Sequence, residues 1–357
     1  MAKRITELDG LRGLAALMVV TAHYFGETAH GLRVLTFGWI GVDIFFVLSG
    51  FLIGGIILDH HAKPEFFKTF YLRRCARIIP VYSIVCLLVL IAAALTAGHV
   101  WSDHPYGAGI YAVFGTNIAI PFWGGGGEWL KPTWTLGVEE QFYLVMPLVI
   151  LATPRRFLPL LLIALMAGSL ALRQVLSVVN PRATLMLLPS RCDLLLSGVG
   201  IALLHRRFDL REHLMLLRLL SLACAVGVLA LVLISQAWIA TWGQSLFAIG
   251  IAAFLGAVVN GAPEGRRYNA PVLRWFGQIS LAFYLVHQPI AGLLHGAILG
   301  SVPDVETISQ ILVSLLALGV SIAAAALSWH WLEAPILRRA HSFRFEDPDL
   351  ARASTLS

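Results

Sequence analysis

Apolar residues fall into long runs separated by short polar, often basic, segments. The runs lie at about 10–27, 36–58, 78–97, 139–153, 157–176, 191–205, 215–234, 241–260, 275–299 and 308–332. Crossing the hydrocarbon core of a bilayer takes about 20 helical residues. The pattern therefore predicts an all-α, polytopic integral membrane protein of about ten transmembrane helices. The runs at 139–153 and 191–205 are short, so their ends are the least fixed. Residues 107–121 are also nearly apolar. Counted as a crossing, they would send every later basic loop to the opposite side, so they are read as a re-entrant or interfacial helix inside a large loop. There is no internal repeat, heptad pattern or long polar linker. The expected organisation is a transmembrane domain over 1–335 and a short tail over 336–357.

Composition narrows the picture. The 357 residues are 58% hydrophobic and 13% charged, against about 25% charged in soluble domains. That excludes a soluble enzyme and a disordered chain. The net charge is +6, but 21 of the 26 lysines and arginines fall on one side of the ten-span arrangement. They lie near residues 3–12, 63–77, 155–156, 206–218, 266–274 and 338–352, whereas Arg33, Lys131, Arg173, Arg182 and Arg191 fall on the other. Basic loops stay cytoplasmic, so both termini are expected there, and the basicity needs no nucleic-acid partner. Lys3 and Arg4 before the run Leu14 to Val20 resemble a secretion signal, but Arg12 and His23 interrupt it and no cleavage site follows. The segment is read as a retained first span. Cys75, Cys86, Cys192 and Cys224 are scattered and suit neither a disulfide framework nor a zinc site.

Charges kept inside spans cost about 2.5–3.5 kcal/mol each at the bilayer centre, so each needs a partner or a task. Arg12 and His23 are eleven residues apart. On a helix that leaves them about 20° from alignment and about 16 Å apart along the axis. Arg12 then sits at the inner boundary and His23 deep in the membrane, unless the pair is a snorkelling arginine and a histidine bonded to a neighbouring helix. Asp43, in GVDIFFVLSGFLI, could orient a histidine or pair with an arginine. Ser49 is small and polar, and Gly50 and Gly54 suit close helix packing. Arg74 and Arg77 share a helical face. With Pro80 in the first turn of the third span, they would stand by a helix N-terminus, a setting that suits a phosphate; the alternative is plain positive-inside decoration. Glu139 and Glu140 open the fourth span near the outer surface and diverge by about 100°, so one should face the bundle, as a general base or a partner for a sugar hydroxyl. The alternative is a helix N-terminal acid favoured by the dipole. Arg191 and Asp193 read as a local charge pair. His287 in SLAFYLVHQP and Glu333 in WHWLEAP read as members of a polar network. The loop 98–134 carries Trp101, Tyr106, Tyr111, Phe122, Trp123, Trp129 and Trp134, an interfacial belt or a platform for a sugar. His99 and Asp103 have HxxxD spacing, read as chance, and no metal-ligand motif is present.

Taken together, the chain resembles the membrane-bound acyltransferase family 3, bacterial O-acyltransferases acting on lipopolysaccharide, exopolysaccharide and related glycans. The resemblance rests on ELDGLRGLAALMVVTAH, GWIGVDIFFVLSGFLI, RRCARIIPVY, TWTLGVEEQFYLVMP, SRCDLLLSGVGIAL, FGQISLAFYLVHQP and WLEAP, in that order and across almost the whole chain. It implies an arginine–x10–histidine motif at Arg12 and His23, an RxxR pair at Arg74 and Arg77, and a functional acid in VEEQFY, for which Glu139 is the match. It further implies a bacterial inner-membrane protein with no tightly bound cofactor. An acyl-CoA co-substrate, acetyl-CoA foremost, would give its acyl group from the cytoplasm to a hydroxyl of a surface or lipid-linked glycan. Some members carry a fused extracytoplasmic esterase-like domain; with about 25 residues after the last span, a stand-alone type is expected here. Membrane lipid is an implied partner, and a homodimer is left open.

The expected mechanism has Arg74 and Arg77, helped by Arg12, holding the CoA phosphates while the thioester reaches His23. His23 would serve as general base or as a transient acyl carrier, oriented by Asp43 or Glu139. Two rivals stand beside it: acylation of a small molecule such as a macrolide, and a polar-solute transporter or flippase, which predicts broken helices in corresponding halves.

Overall fold

The computed structural model describes residues 5–234, 238–340 and 342–343. Among them every regular element is helical, and β-structure is confined to one isolated bridge, Pro105 to Gly126. The long helices are α1 (Thr6–Phe25), α2 (Ile40–His60), α3 (Phe66–Leu95), α6 (Thr133–Ala152), α7 (Leu158–Val179), α9 (Leu188–Arg207), α10 (Leu214–Ile234), α11 (Gln244–Val259), α12 (Pro271–Leu299) and α13 (Ile308–Ser328). Short helices α4 (Ala108–Ala112), α5 (Thr116–Trp123), α8 (Pro181–Met186) and α14 (Ala334–Ala340) lie between or after them.

Nine helical segments among the described residues are long and apolar enough to cross a membrane. The tenth expected span, α1, is not among them. Its first two turns carry Glu7, Asp9 and Arg12, yet its 20 residues reach about 30 Å and it packs between α2 and α12. The apolar stretch 107–121 forms only α4 and α5, each too short to cross, and they pack on α3 and α6.

Three boundaries differ from expectation. The third helix begins at Phe66, twelve residues before its apolar run, and continues through Pro80. Membrane helices tolerate an interior proline because neighbours re-satisfy the freed backbone group. Arg74 and Arg77 are therefore mid-helix and do not stand at the N-terminus of their own helix. The fourth span begins at Thr133, so Glu139 and Glu140 lie about two turns inside it. The sixth begins at Leu188.

One end of the bundle gathers the basic loops. Arg206 on α9 forks onto Asp59 at the end of α2 (2.7 and 2.6 Å), Arg218 onto Glu264 (2.7 Å each), and Arg207 donates to the Arg155 carbonyl (2.9 Å). At the far end His30 meets Asp304 (2.7 Å) and Lys131 meets Glu128 (2.9 Å). The hydrogen bond to Asp304 raises the His30 pKa. Lys3, Arg4, Arg344, Arg352 and the expected tail beyond residue 343 lie outside the described residues.

Glycine sets how closely key helices approach. A Cβ on Gly13 would lie 2.0 Å from the Leu273 carbonyl oxygen, and one on Gly277 1.9 Å from that of Asp9. Without side chains there, α1 and α12 touch backbone to backbone. Gly50 and Gly198 do the same for α2 and α9, with hypothetical Cβ atoms 1.8 Å from the Leu195 and 2.1 Å from the Val47 carbonyl oxygens. The packing role expected of Gly50 is thereby met.

Candidate functional site

The tight α1–α12 contact brings His23 and His287 together across 264 residues of sequence. His23 Nδ1 lies 2.7 Å from His287 Nε2, and the ring planes differ by 9°. His287 Nδ1 lies 2.6 Å from the Tyr284 carbonyl oxygen, which can only accept. With both rings neutral, His287 Nδ1 therefore carries the proton and its Nε2 accepts from His23 Nδ1–H. His23 Nε2 is left as a free lone pair. Tyr24 clamps the pair by donating to the His287 carbonyl (2.7 Å) and meeting Ser321 Oγ of α13 (2.9 Å). His287 is fully buried, while the His23 side chain keeps 18% exposure.

That exposure opens onto a chamber of about 600 Å³ towards the far end of the bundle. Its wall includes Glu27, Trp39, Glu128, Lys131, Trp134 and Gln288. Glu27 Oε2 stands 3.6 Å from His23 Nε2, one turn further along. The chamber is bordered by residues from the loop before α6, in which Gly124 to Gly127 all take positive φ, from 67° to 88°; only glycine accepts four such residues in a row cheaply. Asp103 accepts from the Glu128 and Trp129 amides (2.7 and 3.3 Å) and forms no hydrogen bond or ion pair with His99, whose ring stacks on Trp101. The loop aromatics divide: Trp129 is buried, Phe122 and Trp123 are exposed, and Trp134 lines the chamber.

A second cavity, of about 80 Å³, lies among α1, α2, α3, α6 and α12. Arg12, Arg74 and Arg77 line it together with Ser49, Glu139 and Tyr143. No carboxylate lies within ion-pair distance of these three guanidinium groups among the described residues, and the buried Arg74 Nε has no hydrogen-bond partner. The lining itself carries three cations and one carboxylate, a balance that favours an anion, while Asp9, Glu140 and Glu333 act on the same arginines from outside it. Ser49 Oγ donates to Glu139 Oε1 (2.5 Å), and Arg74 stacks over the Tyr143 ring at 6.0 Å. Glu140 is not among the residues that line the cavity, and its buried Oε1 has no hydrogen-bond partner. Of the two acids, one faces the bundle cavity, as the 100° divergence requires. Both cavities share Val42 and Tyr284 in their linings.

Other expected contacts are corrected. Neither Asp43 nor Glu139 hydrogen-bonds His23. Asp43 Oδ1 takes Arg191 Nη2 at 2.5 Å, the arginine-pairing alternative, and Glu139 belongs to the basic cavity. Arg191 and Asp193 are not a pair. Arg191 reaches Asp43 and Gln244, whereas Asp193 binds Arg173 of α7 through both oxygens (2.9 and 2.6 Å). Residues two apart on a helix point about 200° from one another, which rules out the local pairing. Glu333 sits in a π-helical turn, Trp329–Glu333, and accepts from Ser328 (3.1 Å). The groups that sequence reasoning missed are Glu27, Tyr24, Tyr284 and Arg173. Glu27 was within reach, one helical turn from His23, and Arg173 stood alone in an apolar run; Tyr24 and Tyr284 carried no distinguishing signal. Among the described residues, the side chains close enough to share a metal ion are His30, Asp304 and Glu306, at the exposed far end.

An all-helical membrane bundle with an arginine-lined cavity beneath a histidine that faces a larger chamber is the class of protein defined here. The chain belongs to the acyltransferase family whose domain model matches residues 5–330. It is similar to the peptidoglycan O-acetyltransferase OatA of Listeria monocytogenes, 28% identical over 364 residues, covering 94% of this chain and 56% of that protein. It is also similar to YrhL of Bacillus subtilis, which carries the same activity as a provisional name, 28% identical over 368 residues, 95% of this chain and 56% of that one. A Staphylococcus aureus protein provisionally named an O-acetyltransferase is 26% identical over 364 residues, 93% and 57%. The chain thus spans little more than half the length of these curated relatives. No solved structure matches it.

Proposed function

We propose that this chain transfers an acyl group, acetyl foremost, from a cytoplasmic acyl-CoA to a hydroxyl of a cell-envelope glycan across a bacterial plasma membrane. The basic end of the bundle faces the cytoplasm, as the charge bias requires. Arg12, Arg74 and Arg77 receive donor phosphate, to which guanidinium forks are matched. The acceptor hydroxyl enters the chamber beside His23. His23 Nε2 takes its proton as the oxygen attacks the thioester carbonyl; the C–S bond breaks, and the thiolate leaves with the proton that His23 returns. The imidazolium formed in between is shared with His287 and faces Glu27.

One observation carries this reading: the His23 lone pair opens to the large chamber, and that chamber meets the three-arginine cavity at Val42 and Tyr284. Names of relatives that mention peptidoglycan make a peptidoglycan-type glycan the first acceptor to try, ahead of lipopolysaccharide or exopolysaccharide.

The test uses the full chain in liposomes, with acetyl-labelled acetyl-CoA on the basic side. Muropeptides or O-antigen oligosaccharides are supplied on the other side. Label should appear on glycan hydroxyls. Uptake of unmodified glycan with the thioester intact would instead favour transport. In the same assay Arg77→Ala should raise KM for acetyl-CoA about 10–100-fold, the loss of one charge-assisted contact of roughly 1.5–3 kcal/mol, with little change in acceptor KM. The opposite pattern would remove the phosphate assignment.

A further inference from the structure

The two cavities adjoin at residues that sit in close-packed surroundings. Val42 and Tyr284 line both. Val42 stands on α2 next to Gly41, where a Cβ would lie 2.4 Å from the Ala15 carbonyl oxygen and 2.8 Å from Val19 Cγ2. That close approach fixes the first turn of α2 against α1, the helix that carries His23. Tyr284 is fixed at its hydroxyl, which receives from Thr135 Oγ1 (3.1 Å) and donates to the Pro132 carbonyl (3.2 Å). Its ring packs edge-on against Phe45, with centroids 6.2 Å apart. Both residues are buried, at 9% and 7% exposure. A thioester passing from the small basic cavity to the imidazole would have to pass these two side chains, which the linings share.

Resting on the acyl-transfer reading above, we propose that Val42 and the Tyr284 ring form a size filter that admits an acetyl group to His23 and turns back longer acyl chains. Close-packed interiors do not yield to an added methylene without strain. In an apolar pocket one methylene changes selectivity about 10–200-fold. Tyr284 is held at its hydroxyl, and Val42 has a short β-branched side chain that is stiff at χ1, so the pair has little with which to make room. Val42 is the adjustable element, because Tyr284 also supplies the carbonyl that holds His287.

The experiment measures kcat/KM of the full chain in liposomes with acetyl-, propionyl- and butyryl-CoA. The unaltered protein should fall at least tenfold from acetyl to butyryl. Val42→Ala should raise the butyryl-to-acetyl ratio about tenfold, and Val42→Leu should lower the propionyl-to-acetyl ratio. A merely destabilising change would depress every donor alike and leave the ratios fixed. Should Val42→Ala fail to insert, the Leu variant decides the matter with a shift of opposite sign. A flat donor series in an active protein, or ratios unmoved in the inserted Val42 variants, overturns the filter while leaving acyl transfer standing. Absence of any transfer from acetyl-CoA overturns the acyl-transfer reading, and the filter falls with it.

Discussion

His23→Ala should lower acyl transfer by roughly 10²–10⁴-fold, the usual contribution of a placed general base, while the protein still inserts and binds acetyl-CoA. Removal of its neighbour should be nearly as informative. His287 does not line the chamber, so its contribution runs through His23: it accepts the Nδ1 proton and thereby fixes which nitrogen of His23 is free. In His287→Ala, His23 can carry its proton on either nitrogen, and half the productive arrangement is lost together with the ring that shares the developing charge. The expected result is a kcat about 10–100-fold lower, with the acetyl-CoA KM little changed, as one lost charge-assisted hydrogen bond of roughly 1.5–3 kcal/mol implies. His287→Gln places an amide oxygen near the position of Nε2 and should restore part of the rate. An Ala variant with an unaltered rate would show that the histidine pair only packs α1 on α12. A Gln variant as poor as Ala would show that the imidazole itself, and not its accepting lone pair, is what matters.

The spans were legible because the apolar runs are long and bilayer thickness is fixed; that information is local. What polar residues do with one another was not local. His23 and His287, Asp43 and Arg191, and Asp193 and Arg173 meet only after helices far apart in sequence have packed. The glycines at 13, 277, 50 and 198 set the first two of those approaches, and a glycine on its own does not announce which helix it touches. Helix geometry held more than was drawn from it. The alignment of Arg12 with His23 placed both towards the bundle interior, where the two cavities now lie. The same arithmetic argued against a bond between Arg191 and Asp193. The extension of α3 back to Phe66 was hidden for a different reason: its first three turns are polar enough to fall outside an apolar run, although the hydrogen-bonded helix does not stop where the lipid does.

The buried pair Arg173–Asp193 gives the second large effect, on stability. Arg173 has no exposed surface, and all three of its guanidinium nitrogens are engaged: Nε with the Thr241 carbonyl, Nη1 with Ser190, Ser169 and Asp193, and Nη2 with Asp193 and Ser245. This ties α7, α9 and the π-helical turn before α11 into one strut. Asp193→Ala leaves a full positive charge in an apolar bundle, and breaking such a pair costs about 3–5 kcal/mol. The variant should unfold at markedly lower temperature in detergent and accumulate poorly in membranes. Removing both charges together, as Arg173→Met with Asp193→Leu, should recover most of that stability, because neither partner is then left unpaired. The double variant is also the test of role. Neither Arg173 nor Asp193 lines the chamber or the basic cavity, so each correctly inserted molecule should transfer acyl groups at close to the normal rate. A stable double variant without activity would place the strut inside the chemistry and show that the His23 chamber has a further charged wall.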